Sequence, residues 1–407
     1  MHPDSSPGPS WRDLHTHRAW LTGEAASLLE FARGSTVEGG FGWLDSMGAA
    51  DPSVAPQLWI TGRMTHVFAL GHLIGHPGCG PLVDHGLAAI REAFADREHG
   101  GWFAEAGERT RKEAYTHSFV VLAAASARMA ERPGAEDLLG EALAVVGDRF
   151  WSEEQGACID SWDAAWTEPE AYRGANANMH LVEAFLAAFD ATGDAVWRDR
   201  AERIAGRLIR DVAGANEWRV VEHFDERFTP LPDYNADDPR HRFRPFGITP
   251  GHGLEWARLV LQLRSALPER PAWPLEAAQG LFARAVADGW QEPGGFVYTT
   301  DGSGRPVVTD RLHWVVTEAI GAAATLHAVA GGEEYERWYR TFWDFAARHL
   351  IDREHGSWHM ELDDELNPSE QTWTGKPDVY HSLQAALIPM LPVRSSLAAA
   401  VRALSPR

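Results

Sequence analysis

Two cysteines, Cys79 and Cys158, are all that 407 residues contain, so no disulfide framework is available and a reducing compartment suits the chain. Positive charge is scarce as well. Lys and Arg total 37 against 58 Asp and Glu, and the formal net charge of −21 argues against nucleic acid, polyanions and anionic membrane surfaces as partners. No apolar run reaches the roughly 18 residues of a membrane span. The opening MHPDSSPGPSW has neither the basic stretch nor the apolar core of a secretory signal. The expectation is a soluble, cytoplasmic protein. Nucleotide and nucleophile signatures are missing too: there is no P-loop, no GxGxxG after a strand, no GxSxG and no cysteine–histidine signature.

What the chain has is repetition. A glycine- or acid-rich turn, an aromatic or small apolar residue, a few strand formers and an acid recur six times. The copies are GGFGWLDS from Gly39, HGGWFAEAG from His99, GACIDSWD from Gly156, NEWRVVEHFD from Asn216, GGFVYTTD from Gly294 and HGSWHMELD from His355. Aligning Phe41, Trp102, Cys158, Trp218, Phe296 and Trp358 gives steps of 61, 56, 60, 78 and 62 residues. A period near sixty is too long for the common solenoid repeats of about 20–50 residues. It fits two helices and one elaborated loop.

Helical periodicity between the copies predicts twelve helices, near 13–33, 57–76, 80–95, 115–131, 135–149, 178–191, 194–213, 252–268, 274–289, 310–330, 333–350 and 379–391. They alternate in kind. From Asp194 to Val212 the apolar residues form one stripe, whereas WVVTEAIGAAATLHAVA from Trp314 and SFVVLAAASARMA from Ser118 are apolar almost all round. Alternation of one-faced and all-buried helices predicts an all-α, closed (α/α)6 toroid of six inner and six outer helices, with short β elements in the loops. A superhelical solenoid is the alternative, and the lack of a polar capping repeat favours closure. No Ser/Gly/Pro-rich linker interrupts the repeats, so the expected organisation is a flexible segment 1–12, one domain over 13–393 and a tail over 394–407.

Each expected inner helix carries a histidine in its first turns: His66, His117, His180, His252, His313 and His381. In a toroid of alternating helix direction all six inner N-termini meet at one end, so these histidines, with Arg63, Asn178, Glu255, Trp314 and Glu318, can ring a central pocket. His66, His117 and His313 have the strongest claim to plain helix packing. His180/Glu183 and His252/Glu255 are three apart and share a face. The di-iron pattern is Glu-x-x-His rather than His-x-x-Glu, and HExxH is absent, so no metal is expected. The long fourth step lies in FTPLPDYNADDPRHRFRPFGITPGHG, where Arg240, Arg242 and Arg244 sit among prolines and aromatics; it reads as an ordered loop over the pocket. Histidines, carboxylates, arginines, amides and indoles suit a neutral polyhydroxylated ligand, and imidazoles titrating near neutrality can move protons beside a carbonyl without a metal.

At this point a resemblance becomes specific. GFGWL, LWITGRMTHVF, GGWF, YRGANANMH-x-VEAF, EHFD, DYN-x-D-x-P-x-HRFR, TPGH-x-x-EW, GSW-x-x-ELD and GK-x-D-x-YH resemble the N-acylglucosamine 2-epimerase family over essentially the whole chain, and most of all its branch of aldose–ketose isomerases acting on mannose and on sulfoquinovose. The resemblance implies an (α/α)6 barrel and cofactor-free chemistry on a free monosaccharide. It implies that His381 removes the C2 proton of the open-chain aldose and that His252 delivers a proton at C1. His180 is implied at the ring oxygen or nascent carbonyl. Arg63, Tyr115, Asn178, Arg242, Glu255 and Glu318 are implied to hold hydroxyls or orient the histidines, and Trp314 to supply a stacking wall. Pro377 departs from the pattern: it takes a slot where the sulfosugar-associated motif resembles Gln, which favours an unmodified sugar, mannose to fructose, or relatives such as lyxose and xylulose. A 2-epimerase, a sulfoquinovose isomerase, an (α/α)6 glycoside hydrolase with paired carboxylates and a non-catalytic binding protein are the alternatives. Monomer and homodimer are both left open.

Overall fold

A computed structural model describes residues 9–404. Thirteen α-helices appear among them, and the twelve expected from periodicity are all present. The inner set is α2 (Leu58–Leu73), α4 (Ala114–Met129), α6 (Ala175–Thr192), α8 (Pro250–Ala266), α10 (His313–Ala330) and α12 (Tyr380–Leu387). The outer set is α1 (His15–Ala32), α3 (Cys79–Ala89), α5 (Ala135–Val145), α7 (Ala195–Ala205), α9 (Trp273–Gly289) and α11 (Glu333–Phe345). Each inner helix packs on the next, and α12 packs on both α10 and α2. That last contact closes the ring and removes the solenoid alternative: the fold is an (α/α)6 toroid. No helix among the described residues is long and apolar enough to cross a membrane.

Small residues allow the inner helices to approach. A Cβ at Gly62 would lie 2.7 Å from the Phe119 Cβ and 2.8 Å from its carbonyl oxygen, so α2 and α4 meet almost backbone to backbone. Gly62→Ala is therefore expected to destabilise the protein by about 1–3 kcal/mol through overpacking, read as a lower denaturation midpoint. An unchanged midpoint would show that the two helices separate freely.

The repeated phrase has a structural meaning. The aligned residues Phe41, Trp102, Cys158, Phe296 and Trp358 are buried and pair antiparallel with Thr36, Ala95, Trp151, Trp290 and Ile351, at or just after the end of the preceding outer helix. Trp218 makes no such pair, which corrects the alignment of the fourth copy. Glu217 and Trp218 both have positive φ, 53° and 65°, so the chain turns there and Val220 takes the buried place. The acid closing the phrase caps the next turn. Asp45, Asp163, Asp225, Asp301 and Asp363 each accept two backbone N–H groups from the residues just ahead, an Asx-type turn. These acids build loops rather than perform chemistry.

The loops are also stitched from unit to unit around the ring. Strand residues Arg111–Glu113, Tyr172–Gly174 and Arg311–Leu312, each leading into an inner helix, pair with Ser161–Asp163, His223–Asp225 and Glu361–Leu362 of the next unit. Gln57 bridges Glu105 and Ile248 bridges Thr300 in the same sense. The sixth stitch is the Lys376 N–H donated to the Leu44 carbonyl, which ties the last unit to the first. The chain's two lysines, Lys112 and Lys376, are buried and each donates at 2.6 Å to the leading Asp of a near-duplicate DREHG segment, Asp96 and Asp352.

At the opposite end α13 (Leu397–Arg402) packs on α2, α4 and α6. Ser395 and Ser396 donate to Asp190 near the end of α6, and Arg402 to the Met129 carbonyl at the end of α4. Of the stretch expected as a tail, residues 405–407 lie outside the described residues. The part before them is a plug under the inner helices, held because four of its six helical residues are buried. Of the segment expected to be flexible, residues 1–8 lie outside the described residues. Ser10 and Trp11 donate to the Glu336 carboxylate.

Candidate active site

The inner N-termini and the stitched loops line a cavity at one end of the ring. Its walls include Arg63, Tyr115, His180, Arg242, His252, Glu255, Trp314 and His381, eight of the ten residues expected there. Asn178 is the first exception. Its Oδ1 accepts from the Cys158 N–H at 2.9 Å and its Nδ2 donates to the Gly174 carbonyl at 2.8 Å, so the amide is spent on the backbone. Asn176, two residues earlier, lines the cavity instead, because α6 begins at Ala175 rather than 178. Glu318 is the second exception: it stands behind His381, outside the wall.

The two central histidines are built alike. His252, in the first turn of α8, is 2.9 Å from Glu222 through Nδ1; His381, in the first turn of α12, is 2.9 Å from Glu318 through Nδ1. A carboxylate only accepts, so each Nδ1 carries a hydrogen, and whenever the ring is neutral its lone pair lies on Nε2. Both rings pack on the indole of Trp314, at 5.4 and 5.8 Å between centroids. The indole in turn lies against bare backbone, since a Cβ at Gly251 would fall 2.5 Å from it. Burial holds the His381 imidazolium pKa below its ordinary value, partly offset by Glu318, so the neutral form is favoured at pH 7.

Glu222 was not singled out by sequence reasoning. Its signal is faint: it stands three residues before the turn acid Asp225, where the third copy has Asp160 three before Asp163, and Asp160 accepts the Gly174 N–H at the start of α6. Glu222 also accepts the Thr249 N–H, fixing the start of α8 and the ring of His252 together.

Other walls are equally constrained. Arg63 reaches Asp378 at 3.4 Å, donates to the Tyr115 hydroxyl at 3.2 Å and stacks on Trp59, Phe119 and Tyr380. Burial pushes the Tyr115 phenol up to about 12, so it stays protonated. Arg242 donates to the Thr372 carbonyl and lies over Trp43 and Trp373. The long loop is a strap: Arg240 pairs with Asp310, Arg244 makes a two-pronged pair with Glu170, and only Arg242 of the three lines the cavity.

Of the remaining histidines, His117 is structural. Its Nδ1 donates to the Glu113 carbonyl at 2.7 Å and its Nε2 accepts the Trp102 N–H at 3.1 Å. His66 bonds Ser126. His313, expected in helix packing, does line the cavity, and burial holds it neutral, down to about 3.

Possible ligand atoms gather within 4.8 Å in two groups, His180–Glu183–Glu255 and Glu255–Glu318–His381. Arg258 lies among the same carboxylates, 2.9 Å from Glu318 and 3.5 Å from Glu255. A divalent cation would have to share that volume with a guanidinium.

Comparison with known proteins now bears on this geometry. The family model for N-acylglucosamine 2-epimerase (GlcNAc 2-epimerase) matches residues 39–385. The chain belongs to the N-acylglucosamine 2-epimerase family. Within it, this family member is 54% identical over 400 residues to a D-mannose isomerase of Thermobifida fusca, covering 96% of this chain and 98% of that one. It is 50% identical over 404 residues to a D-mannose isomerase of Pseudomonas cannabina pv. alisalensis, covering 97% and 98%. A crystal structure of a D-mannose isomerase superposes with a TM-score of 0.86 at 28% identity, over 94% of this chain and 99% of that one. The family member described here is an isomerase.

Proposed function

We propose that this isomerase interconverts free D-mannose and D-fructose through a cis-enediolate. The observation that carries the reading is the pair of carboxylate-backed imidazoles, His252 and His381, opening on one cavity and sharing one indole. His381 Nε2 takes the proton from C2 of the open-chain aldose while Glu318 stabilises the imidazolium. The electron pair moves into the C1–C2 bond and negative charge collects on O1. A protonated His252 then gives its Nε2 proton to C1 as a hydroxyl proton passes from O2 to O1 and the C2 carbonyl of the ketose forms. Exchange with solvent afterwards removes the proton from His381 and restores that of His252. Arg63 and Tyr115 stand ready to hold sugar oxygens, and His180, which burial keeps neutral (down to about 4), offers a further hydrogen-bonding group without adding charge.

Supporting this over hydrolysis is the fate of the carboxylates. A glycosidase needs two that flank the scissile bond. Glu318 is committed to Arg258 and His381, and Asp378 is paired with Arg63. The family's other outcome, 2-epimerisation, uses the same proton removal but returns the proton to C2 on the opposite face. Incubating D-mannose with the protein in D₂O and following the sugar by NMR separates them. Fructose carrying deuterium at C1 is expected. Glucose deuterated at C2 would replace the isomerase reading with the epimerase, and an inert mannose would overturn both.

A further inference from the structure

Beneath the cavity floor one cation faces three carboxylates. Arg258 stands one turn beyond Glu255 on α8 and is fully buried. Its Nε donates to Glu318 Oε2 at 2.9 Å, and the other oxygen of Glu318 accepts from His381 Nδ1 at 2.9 Å. Its Nη2 is 3.5 Å from Glu255, and its Nη1 is 3.3 Å from the Gln262 amide oxygen and 3.9 Å from Glu183. Glu183 accepts in turn from the Tyr380 hydroxyl.

Among the described residues the other positive charge that acts on these acids, through Glu255, is Arg63. Arg63, on α2, is engaged by Asp378 and Tyr115. His66 on α2, His180 on α6 and His313 on α10 are held neutral by burial, at about 4, 4 and 3. Burial likewise keeps the phenols of Tyr115 and Tyr380 protonated. Arg258 therefore decides how protons are shared. Burial drives all three carboxyls toward neutrality, yet Arg258 together with the histidine contacts holds Glu318 and Glu183 below the usual carboxylate range. Glu255 is pushed well up, by burial first and by Glu318 second, so the proton of the cluster resides there.

The geometry points to Arg258 as a positioning residue that sets the tautomer of His381 by keeping Glu318 a pure hydrogen-bond acceptor. An ionised Glu318 obliges Nδ1 to donate and leaves the lone pair on Nε2. A Glu318 that carried a proton could donate it to Nδ1, which would move the ring hydrogen to Nε2 and remove the base from the cavity. The inference rests on the proposed role of His381 only for its kinetic consequence, because the tautomer itself can be read without substrate.

The test compares wild type, Arg258→Met and Arg258→Lys. With ¹⁵N-histidine labelling, two-bond ¹H–¹⁵N spectra at neutral pH should show the Nδ1–H form of His381 in wild type and Arg258→Lys, and its loss in Arg258→Met. With whichever free sugar the wild type turns over, kcat of Arg258→Met should fall roughly 10²-fold at pH 7 and recover as pH rises, its acid limb displaced upward by at least about one pH unit. Arg258→Lys should keep the wild-type limb. A merely structural role predicts an equal loss at every pH. An Arg258→Met protein that retains the Nδ1–H form, or loses activity uniformly with pH, overturns the inference. Should Arg258→Met not fold, ¹³C-carboxyl titration of Glu318 in the wild type decides: it should remain ionised to below the usual carboxylate range, and titration near neutrality overturns the inference. Failure of the wild type to act on mannose would sink the proposed function alone, since the tautomer measurement stands without it.

Discussion

His381→Ala is expected to lower kcat for the sugar that the wild type isomerises by about 10²–10⁴-fold, the usual contribution of a positioned acid or base, with little change in fold. The side chain lost is buried, but its partner is not stranded: Glu318 still accepts from Arg258. His252→Ala should cost a similar factor for the same reason, since Glu222 still accepts the Thr249 N–H. The two variants should differ in D₂O. If His381 takes the C2 proton, His252→Ala still forms the enediolate and returns it to aldose, so deuterium enters at C2 without product. His381→Ala should exchange nothing. NMR of recovered mannose reads both. An active His381→Ala protein, or exchange that follows His252 instead, would overturn the assignment of roles.

Much of this was legible in the chain because the repeat records geometry. A period near sixty with alternating one-faced and all-buried helices left few closed solutions. A histidine in or near the first turns of each inner helix pointed to one end of the ring, although His66, eight residues into α2, serves packing instead. What could not be read was which side chains the backbone would claim. Asn178 and Asn176 are two apart in a run of alternating small residues, and only the true start of α6 at Ala175 decides that the first serves the backbone and the second faces the cavity. Trp218 matched the phrase by residue type, while two consecutive positive φ angles moved it off the buried position. Glu222 and Arg258 escaped for another reason. Each acts through a partner distant in sequence, thirty residues for Glu222 with His252 and sixty for Arg258 with Glu318, and no local spacing announces such pairs.

The histidines that line or support the pocket should also make the protein fragile in acid. His66, His117, His180 and His313 are fully enclosed, and burial holds them neutral down to about 4, 3, 4 and 3. In the unfolded chain each takes a proton near pH 6.5. As pH falls below that value the unfolded state binds protons that the folded state refuses, and stability drops with pH until the folded-state values are reached. Each such group costs about 2 kcal/mol by pH 5 at about 1.4 kcal/mol per pH unit. Asp160, pushed up to about 7 by burial, and Glu255, also raised, work in the opposite direction, because the fold holds their protons more tightly than the unfolded chain. Glu24, Glu113 and Asp190 are raised too, but five more histidines are lowered, His17, His223, His349, His359 and His381. Nine lowered histidines outnumber five raised carboxyls, and unfolding takes up protons on balance below about pH 6.5. The melting temperature should therefore fall as pH drops from about 6.5 toward 5, above the range where ordinary carboxylates titrate. It should not rise above pH 7, where the raised carboxyl of Glu255 still binds its proton more tightly in the fold. His117→Gln is the variant that isolates the cause, since an amide can replace one donor and one acceptor without a titrating ring. Its midpoint should fall less steeply with pH than that of the wild type, by the equivalent of one proton. A wild-type melting temperature that stays flat from pH 7 to 5 would mean that the buried rings are already protonated in the fold, and the neutral hydrogen-bonding scheme drawn for His117 and His180 would have to be abandoned.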